Sequence, residues 1–145
     1  MTGLSSPHSL PVEESVPDVR RAIADSVPVI LRAPPGAGKT TVIPRAVLES
    51  GLTGEGQILL IQPRRLAARA SAARLSHLVG QSTGDTYGYH VRFDKAIGKR
   101  TRVIAMTTGI LLRRLADDPF LENAGCVILD EFHERSLEVD LALGM

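Results

Sequence analysis

Residues 33 to 41 read APPGAGKTT and residues 127 to 136 read VILDEFHERS; together they hold the side chains that could handle a metal-bound phosphate. In the first stretch, Gly36 and Gly38 permit a tight turn whose successive N–H groups, with the positive end of a following helix, face one anion. Lys39 can then reach the β- and γ-phosphates of a nucleotide, the Thr40 hydroxyl can hold Mg²⁺, and Thr41 lies in the same cradle. In the second stretch, Asp130 ends an apolar run where an acid could complete the Mg²⁺ site, and Glu131 could orient an attacking water. His133 suits a polar relay beside the nucleotide. A surface histidine, or zinc held with Asp130 and Glu131, is the other option; the lack of HExxH spacing and of a cysteine set argues against zinc. Ala33 stands where the phosphate-loop pattern normally opens with glycine, so the match is looser than the strict form. A glycine-rich turn with a surface lysine is the plainer alternative for the first stretch, and a strand surfacing into a polar loop for the second.

A phosphate cradle needs a strand before it and a helix after it. The apolar run VPVILRA at 27 to 33 and the stretch KTTVIPRAVLESG, with a kink at Pro44 and a stop at Gly51, meet that need. Before them, residues 1 to 16 read as a flexible lead-in and PDVRRAIADS at 17 to 26 as a helix. After them come a strand at QILLIQ (57 to 62) and a helix from Arg64 to Gly80. Two further strands, at 86 to 93 and 101 to 106, flank a turn-like DKAIGK. A helix over GILLRRLADD and a strand at CVILD complete the series. Strands alternating with helices over short connections predict an α/β fold, with a mostly parallel sheet flanked by helices on both faces.

Composition narrows the function. Only Phe93, Phe120, Phe132, Tyr87 and Tyr89 are aromatic, so a protein gripping single strands by stacking bases on rings is a poor fit. Any nucleic-acid contact should fall mainly on the backbone. The net charge of +1 conceals a cluster of Arg64, Arg65, Arg69 and Arg74. Cys126 is the sole cysteine, within an apolar run, and is expected to be a buried thiol in a reducing, cytoplasmic setting. The N-terminus has no basic start followed by an apolar stretch, and no run approaches the ~20 apolar residues of a membrane span.

The ordered motifs resemble a known family. DEFHERS is similar to motif II of the DEAH/RHA branch of superfamily 2 helicases, with Phe132 where alanine is usual. QPRRLAARASAARL resembles motif Ia and its helix, YGYHVRF the hook-turn segment, and MTTGILLRRL motif Ib. The Phe132 variant, RRLAARA and ILDEFHERSLEVDLAL are most similar to the bacterial HrpB type, and the likeness covers roughly residues 10 to 145.

The resemblance implies a RecA-like P-loop NTPase fold, with residues 17 to 145 forming part of a first helicase lobe that is incomplete at its C-terminal end. It implies ATP and Mg²⁺ at Lys39, Thr40 and Asp130, Glu131 as catalytic base, His133 coupling the nucleotide to later motifs, and Arg74 stacked on adenine. It also implies that Arg65, Arg92, Thr107 and Gly109 hold the sugar-phosphate chain of a single strand, RNA favoured over DNA. A second RecA-like lobe, whose Ser-Ala-Thr and Gln-Arg-x-Gly-Arg motifs are absent before Met145, is the expected partner, with no membrane involved. Two other classes stay open: a non-catalytic nucleotide- or strand-binding module, and a P-loop ATPase with no nucleic-acid role.

Overall fold

The computed structural model describes residues 14 to 26 and 38 to 130, and the chain divides into two compact units, Met1–Leu52 and Thr53–Met145. The expected strand at 27 to 33 lies outside the described residues.

Two helices make up the described part of the first unit. α1 (Val16–Ala24) has proline in its first turn and Asp18 beside its positive end, both favourable for a helix start. α2 (Lys39–Ser50) runs through the buried Pro44 and stops at Gly51, which adopts the left-handed conformation (φ 70) that ends helices. α1 packs against α2.

The second unit is built on β1 (Gln57–Gln62), α3 (Arg65–Leu78), β2 (Tyr87–Val91), β3 (Asp94–Ala96), β4 (Val103–Thr107), α4 (Thr108–Asp117) and β5 (Ala124–Leu129). The strand order is β3-β2-β4-β1-β5. β1, β2, β4 and β5 pair in parallel, and β3 alone turns back against β2. β1 is flanked by β4 and β5, and Ile58, Leu59, Leu60 and Ile61 are all buried, as a strand covered on both faces requires.

Alternation along the strands sorts the core into two layers. Leu59 and Ile61 of β1 and Ile104 and Met106 of β4 cluster with Ile110, Leu111 and Leu115 of α4. Ile58, Leu60 and Gln62 therefore face the other side, where α3 buries Ala68, Ala72 and Leu75. The helices thus lie on both faces of the sheet, as expected. Arg102 and Arg114 brace the N-terminal end of the sheet: Arg102 donates to the carbonyls of Gly54 and Gly56, and Arg114 to Gln57 Oε1 at 2.9 Å.

Two expectations need correction. The segment DKAIGK is not simply a turn, because Asp94–Ala96 forms β3, with Val91 opposite Asp94 across a two-residue tip. Cys126 is half-buried, because β5 alternates in exposure instead of lying in the core throughout. Burial still pushes its thiol pKa up. Among the described residues, no helix is long and apolar enough to cross a membrane.

Candidate nucleotide and strand site

Gly38 caps the start of α2 with φ 91 and ψ 12, a left-handed conformation open to glycine and costly for a residue with a Cβ. Its carbonyl accepts from the backbone N–H of Thr41 at 3.1 Å and of Val42 at 2.8 Å. The Thr41 hydroxyl also donates to it at 3.1 Å, so that proton is committed to the helix start. Lys39 and Thr40 occupy the first turn, where orphan N–H groups make the helix end electropositive, and that turn contains no acidic residue. Gly36 lies outside the described residues.

The second unit gathers most of the other candidates. Parallel strands put all their C-terminal ends on one edge, and the pairing aligns them. His90 lies opposite Met106, Gln62 opposite Thr107, and Ile61 opposite Leu129. Arg92 follows β2, Thr107 ends β4, Arg65 opens α3 after β1, and Asp130 follows β5. At the usual strand spacing the row from Arg92 to Asp130 spans about 14 Å. Ligands of open α/β sheets bind outside this end of the strands.

Helix starts at this edge lack the usual compensation. α3 and α4 have no acid in their first turns, whereas α1 has Asp18. Arg64 caps α3 and Arg65 is its first residue, so two cations sit at a positive helix end. A cation at a helix start is disfavoured by the helix dipole by roughly 0.3–1 kcal/mol, and a bound anion there is favoured by a similar amount. Gly109 lies in the first turn of α4, where an added Cβ would meet nothing within 4 Å.

Arg92 occupies the tip of the β2–β3 hairpin, its guanidinium 4.7 Å from the ring centre of Phe93. The hairpin is tied to α3: Tyr89 Oη donates to Asp94 Oδ2 at 2.9 Å, and Arg69 Nε lies 3.5 Å from the same oxygen. Arg69 also lies 5.7 Å from the centre of the Tyr89 ring. The hydrogen bond to Asp94 pushes the Tyr89 hydroxyl pKa up.

Asp130 is held by its neighbours. Its backbone N–H donates to Ile61 O at 2.9 Å, and its Oδ2 accepts from Gln62 Nε2 at 2.8 Å. Gln62 Oε1 in turn accepts from Ser71 Oγ at 2.9 Å. Sequence reasoning passed over Gln62 and Ser71; the one available signal was a polar residue at the end of an apolar run, on the face that α3 covers.

Arg74 is exposed on α3, nine residues beyond Arg65 and therefore about 13 Å farther along the helix axis, away from the strand ends. Glu131 and His133 lie outside the described residues, and with them the zinc alternative. The Thr40 hydroxyl and Asp130 carboxylate are hard oxygen donors of the kind Mg²⁺ takes.

Residues 17–140 match the family described as DEAD/DEAH box helicase. The chain is 46% identical over 138 residues to the ATP-dependent RNA helicase HrpB of Escherichia coli, covering 94% of this chain and 17% of that protein. It is 41% identical over 138 residues to the ATP-dependent RNA helicase HrpA homolog of Haemophilus influenzae, covering 95% of this chain and 11% of that one. The crystal structure of the Escherichia coli DEAH/RHA helicase HrpB superposes with a TM-score of 0.88 at 47% identity, over 93% of this chain and 17% of that chain. The sheet and its helices accordingly share the RecA-like fold found there.

Proposed function

Because the chain belongs to the DEAD/DEAH box helicase family, we propose that it acts as the ATP-binding lobe of an HrpB-type RNA helicase, coupling ATP hydrolysis to movement along a strand. Residues 17 to 145 form part of its first RecA-like lobe in this proposal. The observation that carries it is the single sheet edge that collects Arg65, Arg92, Thr107, Gly109 and Asp130, beside two helix starts without acids.

The Lys39 ammonium and the backbone N–H groups at the start of α2 hold the β- and γ-phosphates of ATP. Thr40 and Asp130 would hold Mg²⁺, which when bound neutralises charge on those phosphates. Gly36, Gly38 and Thr41 shape the cradle, Arg74 flanks the adenine, and Glu131 orients the attacking water, with His133 as the polar link onward. Hydrolysis transfers the γ-phosphoryl group to water, so the protein acts through position and charge. Arg65 and Arg92 neutralise phosphates of the strand while Thr107 and Gly109 line its backbone, without reading bases. A second RecA-like lobe supplies further arginines, worth orders of magnitude in rate. RNA is favoured over DNA because relatives this similar bear the name RNA helicase. A cytoplasmic setting belongs to the same proposal.

The decisive experiment measures ATP turnover, with and without single-stranded RNA, in a protein that joins this lobe to a second one. RNA-stimulated turnover that disappears in Glu131→Gln is expected. Turnover indifferent to RNA would point to an ATPase without a nucleic-acid role, and binding without turnover to a passive module.

A further inference from the structure

The chain from Ser71 through Gln62 to Asp130 can be satisfied in only one way. A carboxylate only accepts, so the Gln62 amide must turn its NH₂ toward Asp130. That leaves Oε1 facing Ser71, whose hydroxyl can donate; the flipped amide would set two acceptors against each other. Gln62 is 4% exposed and Ser71 9%, so water is a poor substitute partner for either. The backbone of Asp130 is anchored to Ile61, and Gln62 holds Oδ2 of its carboxylate.

We propose that Gln62 is a positioning residue for Asp130, fixing the carboxylate in the orientation that takes Mg²⁺ and tying it through Ser71 to α3, the helix that opens with Arg65. This goes beyond the proposed function but rests on its assignment of Asp130 as a Mg²⁺ ligand. Hydrogen-bond partners of ligating carboxylates tune metal affinity by about 10–100-fold. The inserted amide also links α3 to the strand end that carries Asp130 through two successive hydrogen bonds.

The test is a Mg²⁺ titration of fluorescent ATP-analogue binding to the full chain and to Gln62→Met, Ser71→Ala, Asp130→Ala and the Gln62→Met/Asp130→Ala double variant. Gln62→Met should raise the half-saturating Mg²⁺ concentration about tenfold and leave binding in a chelator unchanged. Ser71→Ala, the milder change, should raise it about threefold. On the Asp130→Ala background, Gln62→Met should shift nothing further, which a general loosening of the fold would not reproduce.

If Mg²⁺ dependence is lost in Asp130→Ala yet untouched in Gln62→Met, the positioning role is wrong and the Asp130 assignment stands. An equal shift on both backgrounds also overturns the positioning role. Nucleotide binding with no Mg²⁺ dependence in the unaltered chain overturns both.

Discussion

His90 on β2 pairs with Lys95 across the hairpin, and its imidazole pKa is lowered first by burial and then by the charges of Lys95, Arg113 and Arg114. A depressed folded-state pKa means that the native protein resists protonation more than the unfolded chain does. The stability His90 contributes is therefore complete above the ordinary imidazole value of about 6.5 and is lost as pH falls through the folded value. Urea unfolding at about pH 7.5 and about pH 5 should show a larger loss of stability in the unaltered chain than in His90→Gln. Cys126 gives a second residue-scale outcome. With its thiol pushed up by burial, iodoacetamide should alkylate it more slowly at neutral pH than a cysteine in a free peptide, and urea should abolish the difference. Its full burial was an inference from neighbours in sequence. What decides it is the alternation of β5, which a single apolar run does not reveal.

At the scale of elements, the long periodic segments were legible and the short edge strand was not. α3 announces itself through strong helix formers, and β1 through an unbroken apolar run. β3 has three residues, Asp94, Lys95 and Ala96, with no apolar alternation; it exists because β2 offers it a partner. Its tip places Phe93, 89% exposed, at φ 69, a conformation that costs a bulky residue about 1–2 kcal/mol. Phe93→Asn should therefore keep or raise stability by up to about 1 kcal/mol in denaturant titrations, since asparagine tolerates that region. The opposite holds where α3 meets the sheet. Leu75 is almost wholly buried, and Leu75→Ala should cost about 2–5 kcal/mol by the same measurement.

For the whole molecule, charge placement matters more than the net +1. Guanidiniums at the N-terminal end of the sheet bind carbonyls and Gln57, while those at the C-terminal end accompany open helix starts. Two phosphates neutralised by Arg65 and Arg92 would give single-strand binding a salt slope of about −1.4, and Arg65→Ala or Arg92→Ala should each flatten it by about 0.7. Most of the candidate edge was legible, because each of its residues ends a strand or opens a helix, and parallel pairing then sets them in one row. The supports around them were not: Gln62 with Ser71, and Asp94 with Arg69, are contacts between segments that no local pattern encodes.

The open space beside Gly109 separates two kinds of intolerance to change. Alanine fits there, and within a helix it should be better than glycine by about 0.5–1 kcal/mol. A variant library sorted for folding should accept Gly109→Ala, while one sorted for RNA retention should discard it. A residue that the fold would trade away, yet selection for the ligand keeps, marks where the strand's own atoms need the room.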